Sequence, residues 1–389
     1  MIYLTHRQFV FRRRVRKIFF FLLFIFICWL SFGIYLTINK KITKLEKIGY
    51  SKIEINIINE ILNNKQIEKL YNYKYQKKLK DLLVNDRFEK DKLTNYIDYY
   101  NKYEKVTDKD LMHIINNGFD SLEYDSFNKK IMYYDDFDVN NSNRYKKYYD
   151  KYKLKYEDTI YAVNKGFDKY DIKYNKKYVK FINKDYSIIK RIKRYDSYYK
   201  MNKDKSIERI IVEVNCNLDK KDDTKKAKDD KGILIIVNNY YKLDKDYVPD
   251  DLKEISKEYG SGKMNEEAYN KYIDMFEDAE KDKVKLSITK SYTSYNEQYT
   301  LHKKDKTKYS KPGHSEFQTG LLIEIDNNEW LEKNAYEYGF IKRYPSDKKD
   351  LTGYDNINAY RYVGTEVSRF IHDNNISYEE YYTYFVEQN

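Results

Sequence analysis

A hydrolytic zinc centre needs three His or carboxylate ligands and a base that takes a proton from metal-bound water. The C-terminal part of this chain is short of both. The run Pro312-Gly313-His314-Ser315-Glu316-Phe317-Gln318-Thr319-Gly320-Leu321-Leu322-Ile323-Glu324 carries Glu316 and Glu324, the later stretch Asn356-Ile357-Asn358-Ala359 carries no carboxylate, and Glu324 will not hold zinc alone. Phe317 and Ala359 offer no lone pair, and Asn356 is no base at neutral pH. His302 and His314 are the other histidines that can approach. The odd spacing of His314 from Ser315 and Phe317 on an extended stretch favours a surface position. The expectation is no cofactor and no catalytic residue at these positions.

The surrounding frame is specific. Ser315-Glu316, Gln318-Thr319-Gly320-Leu321, Trp330-Leu331 with Asn334-Ala335, Tyr338-Gly339-Phe340, Arg343-Tyr344-Pro345 and Arg361-Tyr362-Val363-Gly364 all belong to it. Together they resemble the zinc D-alanyl-D-alanine carboxypeptidases of the vancomycin-resistance type, with their D,D-peptidase (LAS) fold, over roughly residues 232–389. The resemblance implies zinc held by His, Asp and His, a Glu base in a Glu-Pro-Trp-His run, and an Arg in a Ser-Gly-Tyr-Arg-Ser run that clamps the substrate. Carried onto this chain, the metal positions are Phe317, Glu324 and Ala359, and the base position is Asn356. The clamp position is Thr293, within Lys290-Ser291-Tyr292-Thr293-Ser294. Tyr292, Ser294, Gln298, Ser315 and Glu324 remain able to line a substrate pocket.

The combination predicts a pseudoenzyme that binds peptidoglycan stem peptides or an envelope protein without hydrolysis. Two alternatives stay open: an active carboxypeptidase with a rearranged site, and a structural scaffold of an envelope complex. Restoring Phe317→His, Glu324→Asp, Asn356→Glu and Ala359→His together is expected to recover micromolar or tighter zinc binding where the frame keeps its shape.

Positioning such a site calls for an α+β domain with a small, mainly antiparallel sheet, because strands and helices here do not strictly alternate. Strands are predicted at 233–237, 284–289, 320–325, 340–344 and 360–363. An amphipathic helix is predicted with Ala268, Tyr272, Met275, Phe276 and Ala279 on one face. Asp326 and Glu329 stand at capping-box spacing for a helix through Tyr338 that Gly339 ends, and further helices follow Thr365 and Ser377.

Upstream, Asn116-Asn117-Gly118-Phe119-Asp120 recurs as Asn164-Lys165-Gly166-Phe167-Asp168 and, weakened, as Asn215-Cys216-Asn217-Leu218-Asp219. Each is preceded by an aromatic and a Tyr cluster: Phe88 with Tyr96, Tyr99 and Tyr100; Phe137 with Tyr145, Tyr148 and Tyr149; Tyr186 with Tyr195, Tyr198 and Tyr199. Tyrosines at i, i+3 and i+4 share one helix face, so an all-α stalk of three repeats over residues 45–219 is expected. The Tyr stripe serves either as core between helices or as platforms for glycan strands. Ser51 with Glu54 has capping-box spacing, Thr107 is an N-cap candidate and Gly118 a helix stop. Residues 220–231 are almost wholly charged and read as a linker to a domain at 232–389.

Residues 18–38 run without a charge, long enough for one transmembrane helix. The basic tail 1–17 before it predicts a cytoplasmic N-terminus and an extracellular remainder, in a single-pass membrane protein. The competing reading is a cleaved signal peptide, against which stand the length of the apolar core and the lack of a small-x-small site. Arg7, Arg12, Arg13, Arg14, Arg16 and Lys17 supply six of the net charge of +12. Taking those six from +12 leaves +6, spread over closely mixed Lys and acidic residues, so no nucleic-acid partner is expected. Outside the apolar run Cys216 is the one thiol, which excludes an internal disulfide.

Overall fold

The computed structural model describes residues 6–220 and 223–387, with side chains from Arg14 onward. The chain divides into two compact units, residues 1–164 and 165–389. That division does not fall at the charged stretch 220–231, where the sequence places a linker.

The first unit begins with one helix, His6–Ile48, which carries the apolar run. The apolar residues from Ile18 to Ile38 are exposed, whereas Leu45 near the helix end is wholly buried among Tyr50, Ile55 and Ile58. The helix is long and apolar enough to cross a membrane. The next helix, Lys52–Ile61, starts as its sequence demands: the Ser51 side chain accepts from the Glu54 amide and the Glu54 side chain accepts from the Ser51 amide.

Two helix pairs follow in this unit, Leu93–Lys102 with Asp108–Asn116 and Ser142–Tyr152 with Tyr156–Asn164. Thr107 caps the second helix of the first pair, and Gly118, at φ 72°, turns the chain so that the Phe119 amide reaches the Ile114 carbonyl. Both pairs are locked by the same contacts. Tyr96 donates to the Asn116 side chain, whose amide group donates to the Arg87 carbonyl at 2.8 Å. Tyr145 donates to Asn164 at 2.6 Å, and Asn164 donates to the Asp136 carbonyl at 2.9 Å. Each Tyr hydroxyl also accepts from a backbone amide, of Glu89 and of Asp138, at 3.3 Å.

In the second unit the pair Ile192–Met201 and Ile207–Asn215 repeats the pattern. Tyr195 donates to Asn215 at 2.6 Å, Asn215 donates to the Tyr186 carbonyl at 2.9 Å, and the Ile188 amide donates to Tyr195 at 2.9 Å. The first tyrosine of each cluster, Tyr96, Tyr145 and Tyr195, is completely buried, so these rings pack between helices. The third motif lacks Gly, yet Asn217 takes the same left-handed turn, φ 62° against 72° for Gly118 and 84° for Gly166. Asn is the residue that best replaces Gly in that conformation.

Within the stretch that composition reads as a linker, residues 225–227 are tied into the fold. β1 (Lys225–Lys226) pairs in parallel with β2 (Tyr241–Lys242), and Ala227 between charged neighbours is buried. The apolar run 233–237 is buried from Ile235 to Val237 but is no strand: its Ile233 and Ile235 carbonyls accept from the Arg361 guanidinium at 3.2 and 2.5 Å instead of from a neighbouring strand. β3 (Leu252–Glu254) and β4 (Lys263–Asn265) form an antiparallel pair leading into helix Glu266–Lys281, which buries all five of the residues expected on its inner face.

The main sheet consists of β5 (Ile288–Lys290), β6 (Leu322–Ile325), β7 (Phe340–Tyr344) and β8 (Asn356–Tyr362) in the order β5-β6-β8-β7, antiparallel throughout. Strand alternation sorts its faces. Ile323, Ile325, Tyr360 and Tyr362 enter the main core with the helix Glu266–Lys281 and the C-terminal helices. Leu322, Glu324, Ala359 and Arg361, paired Leu322 to Arg361 and Glu324 to Ala359, share the opposite face. The helix after β6 is Glu329–Asn334 and its N-cap is Asn328, accepting from the Leu331 amide, where Asp326 was expected. Gly339, at φ 89°, ends the following turn as anticipated.

The third helix pair joins the C-terminal end of the chain through buried polar groups. Arg191 donates to the Asn215 carbonyl at 2.8 Å and pairs with Glu387 at 2.5 Å, while Tyr241 donates to Glu387 at 2.8 Å. Burial alone would raise the Glu387 carboxyl, but Arg191 and Tyr241 outweigh it and hold the group below the usual glutamate range. A depressed carboxylate stabilises above its unfolded-state value of about 4.3, and that contribution goes as pH falls through the folded value. Acid titration of unfolding should therefore show stability falling below about pH 4. Glu387→Gln should flatten that limb, and an unchanged slope would remove Glu387 from the account.

Candidate functional site

The polar face of the sheet is organised by a buried ion network. Glu316 receives Arg343 Nε at 2.5 Å and Arg361 Nε at 2.8 Å, and Glu379 receives both terminal nitrogens of Arg343 at 3.0 and 2.7 Å. Each of these four side chains is at most 2% exposed. Two guanidinium groups face two carboxylates, so the charges balance. Tyr378 lies against both guanidinium planes. The network fixes the turn Ser315–Gly320 to β7, β8 and the C-terminal helix, and with it the place of Phe317.

The structure brings Phe317, Glu324, Asn356 and Ala359 together. Phe317 packs with Leu322, Tyr344 and Ala359, with Tyr354 alongside, into a small apolar cluster separate from the main core. Glu324 and Ala359 are register partners across β6 and β8, and Lys290 of β5 is the partner of Glu324 on its other side. Asn356 donates to Glu324 Oε1 at 3.0 Å. The Lys290 ammonium lies 3.8 Å from the centre of the Phe317 ring and 4.0 Å from Glu324 Oε1. Burial lowers the Lys290 amine from its ordinary value, partly offset by Glu324.

The other expected pocket residues serve the frame. Ser294 is the N-cap of helix Tyr295–Lys304 and is held in a capping box by Glu297. Gln298 is buried and donates to the Ser310 carbonyl at 2.7 Å, while its Oε1 has no hydrogen-bond partner among the described residues. Ser315 is buried at the start of the turn that carries Phe317, and Tyr292 is half-buried with its amide on the Lys263 carbonyl. Thr293 donates to the Ser291 carbonyl at 3.3 Å, and its amide reaches the Phe317 carbonyl. His302 and His314 are each tied through Nδ1 to a backbone carbonyl, of Tyr309 at 2.7 Å and of Asn238 at 2.8 Å. Burial holds the His314 imidazole below its usual range.

Beside Tyr354 opens a cleft of about 950 Å³. One wall is the third helix pair and the other is the end of helix Tyr295–Lys304 and the loop after it, to His314, with residues 350–354. Its cations are Lys205, Arg209, Lys220, Lys306 and Lys311, against two carboxylates, Glu213 and Asp350. Lys205 and Arg209 are spent on the buried Glu213 at 2.7 and 2.6 Å. Sequence reasoning missed this wall, because the third helix pair was assigned to a stalk. It also passed over Lys290, whose nearness to Glu324 and Phe317 comes from the pairing of β5 with β6 and has no local sequence signal.

Residues 261–365 match the family VanY, D-alanyl-D-alanine carboxypeptidase. The Bacillus subtilis (strain 168) protein YodJ, a carboxypeptidase by name, is 32% identical over 188 residues, 39% of this chain and 67% of its own length. The chain belongs to the VanY family of D-alanyl-D-alanine carboxypeptidases. A second VanY-type relative, the D-alanyl-D-alanine carboxypeptidase of Enterococcus faecium, is 32% identical over 182 residues, and the match spans 60% of its length and 41% of this chain. Among solved structures, the LdcB LD-carboxypeptidase is 31% identical with a TM-score of 0.37, covering 41% of this chain and 90% of that one. VanYB in complex with D-alanine-D-alanine is 28% identical with a TM-score of 0.35, covering 38% and 96%.

Phe317, Glu324 and Ala359, which the family resemblance assigns to the metal, make a poor donor set for zinc. Their side chains are a phenyl ring, one carboxylate already bonded to Asn356, and a methyl group. Among the described residues no three His, Cys, Asp or Glu side chains converge as a metal site. A centre of this kind needs at least three donors.

Proposed function

We propose that this is a membrane-anchored VanY-type protein that binds peptidoglycan stem peptides at the cell surface without cutting them. The observation that carries the reading is the apolar cluster of Phe317, Leu322, Tyr344 and Ala359, which fills the corner where the family's ligands would meet. The frame that would shape a peptide pocket, the Glu316–Arg343–Arg361–Glu379 network, is kept. The exposed apolar helix near the N-terminus, preceded by basic residues, supports a single membrane span with the units outside. The three Tyr–Asn locks support a set of three structural repeats between the anchor and the family domain.

The test is release of D-alanine from a pentapeptide stem by the full chain in detergent, with zinc supplied and a VanY-type enzyme as control. The expected result is no release together with retention of the chain on purified peptidoglycan. Release overturns the reading. Neither release nor retention would move the function to scaffolding of an envelope complex.

A further inference from the structure

We infer that the Lys290 ammonium is a fixed replacement for the metal ion: it supplies the positive charge of the site, keeps divalent cations out, and offers its N–H groups to a carboxylate or carbonyl oxygen of the ligand. Three observations carry this. Lys290, Glu324 and Ala359 form one cross-strand row over β5, β6 and β8, so the ammonium is held beside two of the three positions assigned to metal ligands. It stands 3.8 Å over the ring of the third, Phe317, whose face attracts a cation. Among the described residues no acceptor lies within hydrogen-bond distance of Lys290: its nearest carboxylate oxygen, on Glu324, is 4.0 Å away and already accepts from Asn356. With a side chain still 28% exposed, the ammonium keeps donors for an incoming oxygen.

A divalent ion placed in the same corner would meet a like charge at about 4 Å in a partly buried setting, a strong repulsion. The frame-restoring substitutions Phe317→His, Glu324→Asp, Asn356→Glu and Ala359→His are therefore not sufficient by themselves. With Lys290 retained, the restored chain should bind zinc about 100-fold more weakly than the same chain carrying Lys290→Ser as well. Equal zinc affinity in the two chains overturns the inference. So does failure of both to bind zinc while folded, since the exclusion would then lie elsewhere.

A measurement on the otherwise unsubstituted chain guards against misfolding of the multiple variants. Lysines carrying isotope-labelled methyl groups should give several ring-current-shifted signals, Lys180 over Tyr199 at 3.8 Å among them, and one of these should disappear in Lys290→Met and lose its shift in Phe317→Leu. A spectrum in which no shifted signal answers to both substitutions overturns the placement of the ammonium. The ligand part rests on the peptide-binding reading: acetyl-D-alanyl-D-alanine should move that signal. Binding detected by calorimetry without such movement overturns the role of Lys290 and leaves the peptide reading standing. Absence of binding overturns the peptide reading, and the zinc comparison still decides whether Lys290 excludes metal.

Discussion

Glu316→Gln is expected to destabilise the second unit by about 3–5 kcal/mol, the usual cost of breaking a buried ion pair from one side. The substitution keeps the shape of the side chain but strips the charge from between Arg343 Nε and Arg361 Nε, both wholly buried. Arg343 would keep its two bonds to Glu379, whereas Arg361 would keep only the carbonyls of Ile233, Ile235 and Tyr362. A guanidinium does not give up its proton in a protein, so neither Arg343 nor Arg361 escapes the loss by becoming neutral. Urea unfolding of the full chain checks this. A loss below about 1 kcal/mol would mean that water or a moved side chain relieves the stranded charge.

The second large effect separates three residues that look alike in sequence. Asn215→Ala should cost about 3 kcal/mol, because it takes the partner from the wholly buried Tyr195 hydroxyl and also releases the Tyr186 carbonyl. Asn215 has no exposed surface, Asn116 is half-buried and Asn164 is exposed. Asn164→Ala should therefore cost about 1 kcal/mol, since water can take over its contacts, with Asn116→Ala between the two. Thermal unfolding of the three variants gives the order, and equal losses would show that solvent access does not set the strength of these locks.

How much of this was legible depended on whether the controlling contact was local. Helix Glu266–Lys281, β7, and the caps at Ser51, Thr107 and Ser377 could be read because periodicity and cap chemistry act within a few residues. The stretch 233–237 could not, since its apolar run is right for a strand and its fate is decided by Arg361, more than a hundred residues away. Ala227 was invisible among its charged neighbours for a similar reason: Lys225 and Lys226 owe their place to a ladder with Tyr241 and Lys242. At the site, Phe317, Glu324, Asn356 and Ala359 were singled out by the family resemblance and not by any chemistry of their own. Ser294 was read as a pocket residue without its capping role, although Glu297 three residues on carried that signal. Lys290 became meaningful only when β5 was laid beside β6.

The first helix has a mechanical meaning. It runs 43 residues, roughly 65 Å, without a break, and only about 30 Å of that is needed to cross the hydrocarbon. Its last turns do not dangle: Leu45 is a core residue of the first unit, with Ile42 and Ile48 packed against the same core. On the anchored reading proposed above, this helix acts as a lever rather than a tether: any tilt would be passed directly to the unit built on its end, and a cut beyond Leu45 would take a core residue out of that unit.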